Sequence, residues 1–510
     1  MTAITLTKRE GVFIPIKDLT PKVKSAIARK LSFKFYNEKL CKNCEFLDQR
    51  HSDLCEACPG FVAGYQLSPI VKVGKGSYMK VPVGSHDQIV DLLENKGYDV
   101  TVRDKSPSIP IRPIKFLGKF REGQEAAIKT MRVKRRGVLK APPRVGKTVM
   151  ATALVCQKGV KTLIIAGQVD WLNGFRETFI GSKIQPDGSQ SQKALTNLNP
   201  KRIKLCKTIK DFETHDVCLA TIQSFYSPGG EKMLDAIRDM FEIVIGDEIH
   251  QGAADKFLRI LSKLNARYLI GLSATPSRKD AKFVLVRHVV GPVIHEVKVE
   301  QMRPQVKIVP TKYHKAYKGN VMWARMVSAI ENDPARLKLI AKYALKDVEA
   351  GHMILIPFSQ VKPVQKLIKL INDMAGEVIA HPFLGGMKKR EETVLAARNY
   401  DIKILVGTMK ILSTGLNIPR ASALYEVAMS SNIENAEQRM TRVLTAYKGK
   451  PQPILRFFLD QSNVRKNCMR TEFNKMLKPK LKPIISDRDE QILEAYFRTT
   501  VKAPNEKFEL

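Results

Sequence analysis

Residues 141–154 read APPRVGKTVMATAL, and the chemistry open to the Gly146-Lys147-Thr148 tripeptide is the cradling of a nucleotide phosphate. Backbone N–H groups at a helix N-terminus hold phosphate oxygens, Lys147 brings charge to the β and γ phosphates, and the Thr148 hydroxyl ligates Mg²⁺. Gly146 lets the backbone approach closely. Ala141 stands at the first glycine position of the full pattern, and Arg144 and Val145 stand where small residues are usual. Further on, FEIVIGDEIHQ ends an apolar run in Asp247 and Glu248. Asp247 suits Mg²⁺ held through water, and Glu248 suits polarisation of the attacking water. Taken singly, the tripeptide reads as a chance match and the acids as a surface strand end. The strand before the loop, the helix after it and the order of the two motifs favour nucleotide hydrolysis.

A second constellation is CKNCEFLDQRHSDLCEAC, in which Cys41, Cys44, Cys55 and Cys58 form two CxxC pairs separated by ten residues. Four thiolates on two knuckles enclose a structural Zn²⁺ and leave no open position for water. The competing reading is a redox pair. His51 lies between the knuckles and reads as a solvated loop histidine in preference to a fifth candidate ligand. Cys156, Cys206, Cys218 and Cys468 lack such spacing and read as buried thiols.

Regular elements must position these residues. From Gly137 on, GVLKA, TLIIAG, VCLATI, FEIVIGDE and RYLIGLSAT read as buried parallel strands, and KTVMATALVCQKG as a helix ending at Gly159. A second series, HMILIPFS, EVIAH, IKILVGTM, ALYEVAM and ILRFFLD, follows with helical stretches between. The fold class is therefore α/β, two successive parallel sheets covered by helices, with a small α+β accessory region ahead of them. The boundaries expected are 1–115 for the accessory region, with the cysteine cluster at 41–58 and a strand–helix–strand module at 70–105; 116–308 and 309–460 for the two α/β units; and 461–510 for a basic helical extension.

The chain has 510 residues, 44% of them hydrophobic, and a net charge of +36. That length supports several cores and excludes wholesale disorder. So large a positive excess, spread over the whole chain, points to a polyanion, and nucleic acid is the usual one. No apolar run reaches the ~18 residues that cross a bilayer, and the N-terminus lacks the order of a signal peptide. A cytoplasmic location and no membrane partner are expected; oligomeric state is not legible.

The motifs in series resemble the superfamily 2 helicases and translocases over about residues 115–460. FREGQEAAI resembles the Q motif, which would set Gln124 to read adenine; APPRVGKT is similar to motif I; GDEIH is a variant of the DEAH box, in which His250 would relay to motif III. LSATP resembles motif III, where Ser273 and Thr275 would couple hydrolysis to grip. GTMKILSTGLNIP resembles motif V, with Thr408 on the strand and Gly415 and Asn417 on the nucleotide side. EQRMTRVLTA resembles motif VI, with Gln438, with Arg439 anchoring the motif toward the acidic motif, and with Arg442 as the arginine finger. Thr445 replaces the family's last arginine, and Lys448 lies close by. LATIQSF resembles a strand-gripping motif through Thr221, Gln223 and Ser224, against the alternative of a plain buried strand with a polar end.

The resemblance implies two RecA-like lobes with ATP and Mg²⁺ between them, lobe one bringing Lys147, Asp247 and Glu248 and lobe two bringing Arg442. The module VPVGSHDQIVDLLENKGYDV and IENDPARLKLIA are similar to the XPB-like helicases and the UvsW-type branch-migration helicases of bacteriophages. That likeness implies a DNA partner with a fork or junction, a role in replication, recombination or repair, and 3′ to 5′ movement. An RNA helicase, and a zinc-stapled nucleic-acid-binding protein with a degenerate ATP site, are the alternatives.

Overall fold

A computed structural model describes residues 2–36, 61–66, 69–74, 76–142, 145–182, 192–249, 254–274, 283–298, 301–315, 323–387, 390–413, 418–427 and 433–498. These fall into two compact units, one of residues up to 298 and one from 301 on.

The first unit opens with a mixed five-stranded sheet in the order Ile70–Val73, Gly76–Val81, Val12–Pro15, Thr2–Lys8, Tyr98–Asp104. In Thr2–Lys8 the alternating Ile4 and Leu6 point inward, as a half-buried strand requires. Pro21 starts the helix Pro21–Lys30, Thr20 caps it by accepting from Val23 N at 3.4 Å, and Val23 and Ile27 face the core at i, i+4 spacing. The expected module at 70–105 is thus incomplete. Its central strands come from the extreme N-terminus, because the parallel partner of Tyr98–Asp104 is Thr2–Lys8. A separate antiparallel pair, Ser32–Tyr36 with Phe61–Gln66, brings residues 36 and 61 opposite one another. The two residues flank the segment that carries the cysteine cluster.

The larger part of this unit is a seven-stranded, wholly parallel sheet ordered Ile203–Leu205, Val217–Thr221, Thr162–Ala166, Ile243–Asp247, Tyr268–Ser273, Arg136–Lys140, Val293–Glu296. The five strands expected from sequence form its centre, and helices on both faces bury two separate apolar clusters. The short edges Ile203–Leu205 and Val293–Glu296 carry too little apolar pattern to stand out in sequence.

The accessory sheet is locked to this α/β part. A Cβ on Gly84 would lie 2.5 Å from the His288 carbonyl oxygen and 2.7 Å from Gly291 N, so only glycine permits the approach. Beside it Ser85 Oγ and His288 Nδ1 are 2.7 Å apart and buried. The proline-rich connection is held as well: Ile109 N donates to Glu242 Oε2 at 2.9 Å and Lys161 N donates to Ile109 O at 2.9 Å.

The second unit holds another seven-stranded parallel sheet, ordered Ala380–Phe383, Ile404–Thr408, Met353–Phe358, Ala421–Glu426, Ile454–Gln461, Gln305–His314, Ile484–Ile485. Two boundaries move. Gln305–His314 begins this unit ahead of residue 309, and the residues after 460 are not a separate tail. Helices Asn463–Glu472 and Asp487–Arg498 flank the π-helical Phe473–Leu481, and Phe473, Met476, Leu477, Leu493 and Tyr496 share a core with Leu455 and Phe457. The tail's apolar residues close the sheet, while Lys475, Lys478, Lys480 and Lys482 stay exposed and Lys466 is buried against the Tyr496 ring. No helix among the described residues is long and apolar enough to cross a membrane.

Candidate active site

In a parallel sheet the carboxyl ends of the strands gather loops along one edge, and ligands bind there. Residues Lys140, Ala166, Thr221, Asp247 and Ser273 all end strands of the first unit's sheet. The strand Arg136–Lys140 feeds the phosphate loop, and Ala141 N donates to Ser273 O at 2.9 Å, which ties the start of that loop to motif III. Helix Lys147–Lys158 follows, ended by Gly159 in the left-handed region at φ +59°. Its first turn has no side-chain cap and no acidic residue, so its amides and dipole face whatever occupies the loop.

Gly146 precedes that helix at φ +89°, a conformation natural only to glycine, and a Cβ there would collide with the Gln124 side-chain amide. Gln124 is buried, at 2% exposure. Its Nε2 donates to Val145 O at 2.7 Å, and its Oε1 accepts from Arg121 N at 2.9 Å. The residue expected to read adenine is therefore engaged at both ends of its amide, shaping the loop from behind. The signal for this was present in the sequence only as the Q-motif spacing.

Lys147 Nζ is hydrogen-bonded to Glu248 Oε1, with both side chains largely shielded. The strand Ile243–Asp247 ends and Glu248 turns into the left-handed region at φ +50°. For a non-glycine residue this costs about 1–2 kcal/mol, the kind of local strain found at functional positions. Burial first, and then the neighbouring Glu248 carboxylate, push the Asp247 carboxyl up to about 7, against the pull of Lys147. Two carboxyls beside one ammonium and an uncapped helix start form a donor set suited to a triphosphate carrying a divalent cation.

Thr221 and Ser224 form a compact turn at the end of Val217–Thr221, which Thr162–Ala166 separates from Ile243–Asp247. Their hydroxyl oxygens are 3.0 Å apart, and Ser224 N donates to Thr221 Oγ1 at 3.4 Å. Gln223 Nε2 donates to Gly167 O at 3.1 Å, which links this turn to the end of Thr162–Ala166. The three residues thus lie on the same sheet edge as the phosphate loop.

In the second unit Thr408 ends the strand Ile404–Thr408 and is half-buried. Motif VI occupies the helix Ile433–Met440 and the 3-10 turn Thr441–Val443. Arg439 is 2% exposed and bonded to Glu426, Nη2 to Oε2 at 3.0 Å and Nε to Oε1 at 3.4 Å, with Glu472 Oε1 at 3.8 Å from Nη2. This corrects the expected partner of Arg439. Its guanidinium is satisfied inside its own unit by the carboxylate that ends Ala421–Glu426 and by one from the C-terminal extension, neither of which sequence spacing singled out. Burial opposes the charge on Arg439, but Glu426 and then Glu472 more than offset that and hold its pKa above the ordinary arginine value. Burial and then Glu426 push the Glu472 carboxyl up to about 7, with Arg465 and Arg439 pulling the other way. Arg442 is half-buried, three residues beyond Arg439.

Several expected site residues lie outside the described residues: Arg144, His250, Thr275, Gly415, Asn417, the Gln438 side chain, and Cys41, Cys44, Cys55 and Cys58 with His51. Among the described residues there is no group of three or more His, Cys, Asp or Glu side chains that could hold a metal. Cys206, Cys218 and Cys468 are buried thiols as expected, and Cys156 is partly so.

Two family models match the chain: "Type III restriction enzyme, res subunit" over residues 117–278 and "Helicase conserved C-terminal domain" over residues 335–446. Among curated proteins the chain is similar to "Probable helicase D10" of Escherichia phage T5, 25% identical over 72% of this chain and 77% of the relative. It is also similar to "Putative ATP-dependent RNA helicase L396" of Acanthamoeba polyphaga mimivirus, 22% identical over 77% and 72% respectively. A third relative is the "DNA 3'-5' translocase XPB2" of Sulfurisphaera tokodaii, 22% identical over 66% of this chain and 81% of the relative. The phosphate loop and acidic pair on one parallel sheet, the motif VI arginines beside another, and these matches in the same chain order lead to one assignment: the chain belongs to the superfamily 2 helicases and is an ATP-dependent helicase enzyme.

Proposed function

We propose that this helicase is a DNA translocase that converts ATP hydrolysis into unwinding or branch migration of forked or branched DNA, in replication, recombination or repair. The observation that carries the reading is the sheet edge of the first unit. There Lys147, Asp247 and Glu248 lie on the same sheet edge as Thr221, Gln223 and Ser224, with the strand Thr162–Ala166 between the two groups, which supports a phosphate site and a strand grip carried on one sheet.

In this reading Lys147 leaves Glu248 for the β and γ phosphates, while the amides of the uncapped helix start hold the phosphate oxygens. Glu248, released, accepts a hydrogen bond from the attacking water and orients it in line. Thr148 and Asp247 would hold Mg²⁺, whose charge offsets that building on the transferred phosphoryl group. Gln124 keeps Val145 and Gly146 in place and reports adenine occupancy to the loop. Arg442 enters from lobe two as the transition-state arginine, with Gln438, Gly415 and Asn417 on the nucleotide side. His250, Ser273 and Thr275 pass the change of state to Thr221, Gln223, Ser224 and Thr408, which hold phosphates without sequence preference. Zn²⁺ on Cys41, Cys44, Cys55 and Cys58 would staple the segment between residues 36 and 61, and metal analysis of purified protein reads out one equivalent of zinc per chain or none.

The DNA reading is supported by the translocase name of one relative and by a net charge of +36. An RNA substrate is the second reading, favoured by the name of the mimivirus relative. Strand displacement on matched forks, four-way junctions, D-loops and RNA duplexes decides between them. Turnover-dependent unwinding of branched DNA is expected with ATP and none with a non-hydrolysable analogue. Unwinding confined to RNA duplexes transfers the assignment to the second reading, and equal displacement with both nucleotides ends the motor reading.

A further inference from the structure

The helix that carries motif VI is gripped by the C-terminal extension, and we propose that Glu472 and Lys480 of that extension are positioning residues for Arg442. The inference rests on the reading of Arg442 as the transition-state arginine.

Helix Ile433–Met440 is eight residues long, too short to hold its own direction, so its partners decide where it points. One face is apolar: Ala436 and Met440, with Val443 of the turn that follows, belong to the same core as Phe473, Met476, Leu477 and Leu481 of the extension. The polar contacts add register. Arg439 is bonded to Glu426 on one side and faces Glu472 on the other. Two residues earlier on the same helix, Glu437 is paired with Lys480. Arg465, from the first helix of the extension, donates to the Glu426 backbone oxygen at 2.8 Å, so the strand end that holds Arg439 is itself held.

The turn bearing Arg442 is fixed in the same way. Thr441 Oγ1 donates to Glu437 O at 2.9 Å, and Met302 N donates to Leu444 O at 2.9 Å. Arg442 lies between these two ties, and the first of them reaches back to the residue that Lys480 holds. The extension presents Lys480 from Phe473–Leu481, a π-helical run with Pro479 inside it. Such runs are rare and are found frequently at functional sites. The Lys480–Glu437 pair is substantially exposed, with Lys480 at 45%, and exposed pairs contribute little to global stability. Its loss should therefore be read in the position of motif VI and not in the melting temperature.

The test uses the full chain and the variants Glu472→Ala, Glu472→Gln, Lys480→Glu, Lys480→Glu with Glu437→Lys, and Arg442→Ala. DNA-stimulated ATP hydrolysis, thermal unfolding and amide hydrogen exchange over residues 433–443 are measured on each. Glu472→Ala and Lys480→Glu should lower kcat about tenfold or more, as a misplaced catalytic group does, and leave KM for ATP within about twofold. Exchange over 433–443 should accelerate in both. Glu472→Gln, which keeps an oxygen facing Arg439, and the charge-swapped pair should restore most of the turnover. Combining either damaging change with Arg442→Ala should add no further loss, since both act through the same group. Unchanged exchange over 433–443 in Lys480→Glu, or losses that simply multiply with that of Arg442→Ala, would overturn the proposal. Lys480→Glu decides the matter even if Glu472→Ala does not fold. Parental turnover in Arg442→Ala would sink the underlying reading of that arginine, a failure told apart by faster exchange over 433–443 persisting in Lys480→Glu.

Discussion

Lys147 is bonded to Glu248; on the proposed reading, the cation that meets phosphate and the carboxylate that meets water are partners that a triphosphate would have to separate. Both residues are shielded, so substitution is not softened by solvent. Lys147→Ala should lower kcat by about 100-fold or more. Glu248→Gln should still bind nucleotide, with kcat reduced about 100- to 1,000-fold because the base is gone; equilibrium binding of a fluorescent nucleotide beside steady-state turnover separates the two outcomes. Gly146→Ala attacks the same site through the backbone. At φ +89° and with the Gln124 amide in the way, the new methyl must displace either the loop or Gln124. Nucleotide affinity should fall by about tenfold or more, an estimate from roughly 1–2 kcal/mol of left-handed strain, and titration of the variant with ATP measures it.

Two elements that the sequence left apart are held together by specific contacts, and each predicts a measurement. The accessory sheet is locked by Gly84 and by Ser85 on His288. Burial, and then Arg287, push the His288 imidazole from its ordinary value down to about 4. A histidine that is neutral when docked takes up a proton when freed. Stability is therefore fully present above the unfolded value near 6.5 and is lost as pH falls toward 4, by up to about 3 kcal/mol. His288→Gln should flatten the melting temperature between pH 6.5 and 4, whereas a slope unchanged from the parent would remove this histidine from the account. The second element is the end of the chain. Asp489 Oδ1 accepts from Ile308 N at 3.1 Å, Tyr496 OH donates to Asp460 O at 2.7 Å, and Leu493 and Tyr496 are core residues. Truncation after residue 482 should cost at least about 3 kcal/mol by the apolar burial lost, visible as a lower denaturation midpoint of the second unit.

At the scale of the molecule the charge of +36 makes an electrostatic prediction independent of any single residue. A motor that neutralises at least six phosphates should lose about a thousandfold or more in DNA affinity between 50 and 200 mM salt. A shallow salt dependence in fluorescence anisotropy would mean that the positive surface serves another purpose.

The local record in the sequence was sufficient wherever a pattern is short and repeated. Runs such as TLIIA and MILIPF became fully buried central strands, because the central strands of a sheet covered on both faces are predominantly apolar. GKT between a strand and a helix, and Asp247 with Glu248 at a strand end, were legible because chemistry restricts both type and spacing. Other features depended on distant pairings that no local pattern encodes. Thr2–Lys8 found its partner at Tyr98–Asp104, the basic tail closed the second sheet, and Gln124 turned its amide into the phosphate loop. The partner of Arg439 was decided in the same way: a buried guanidinium takes the carboxylates that packing places within reach, and here the fold supplied Glu426 and Glu472.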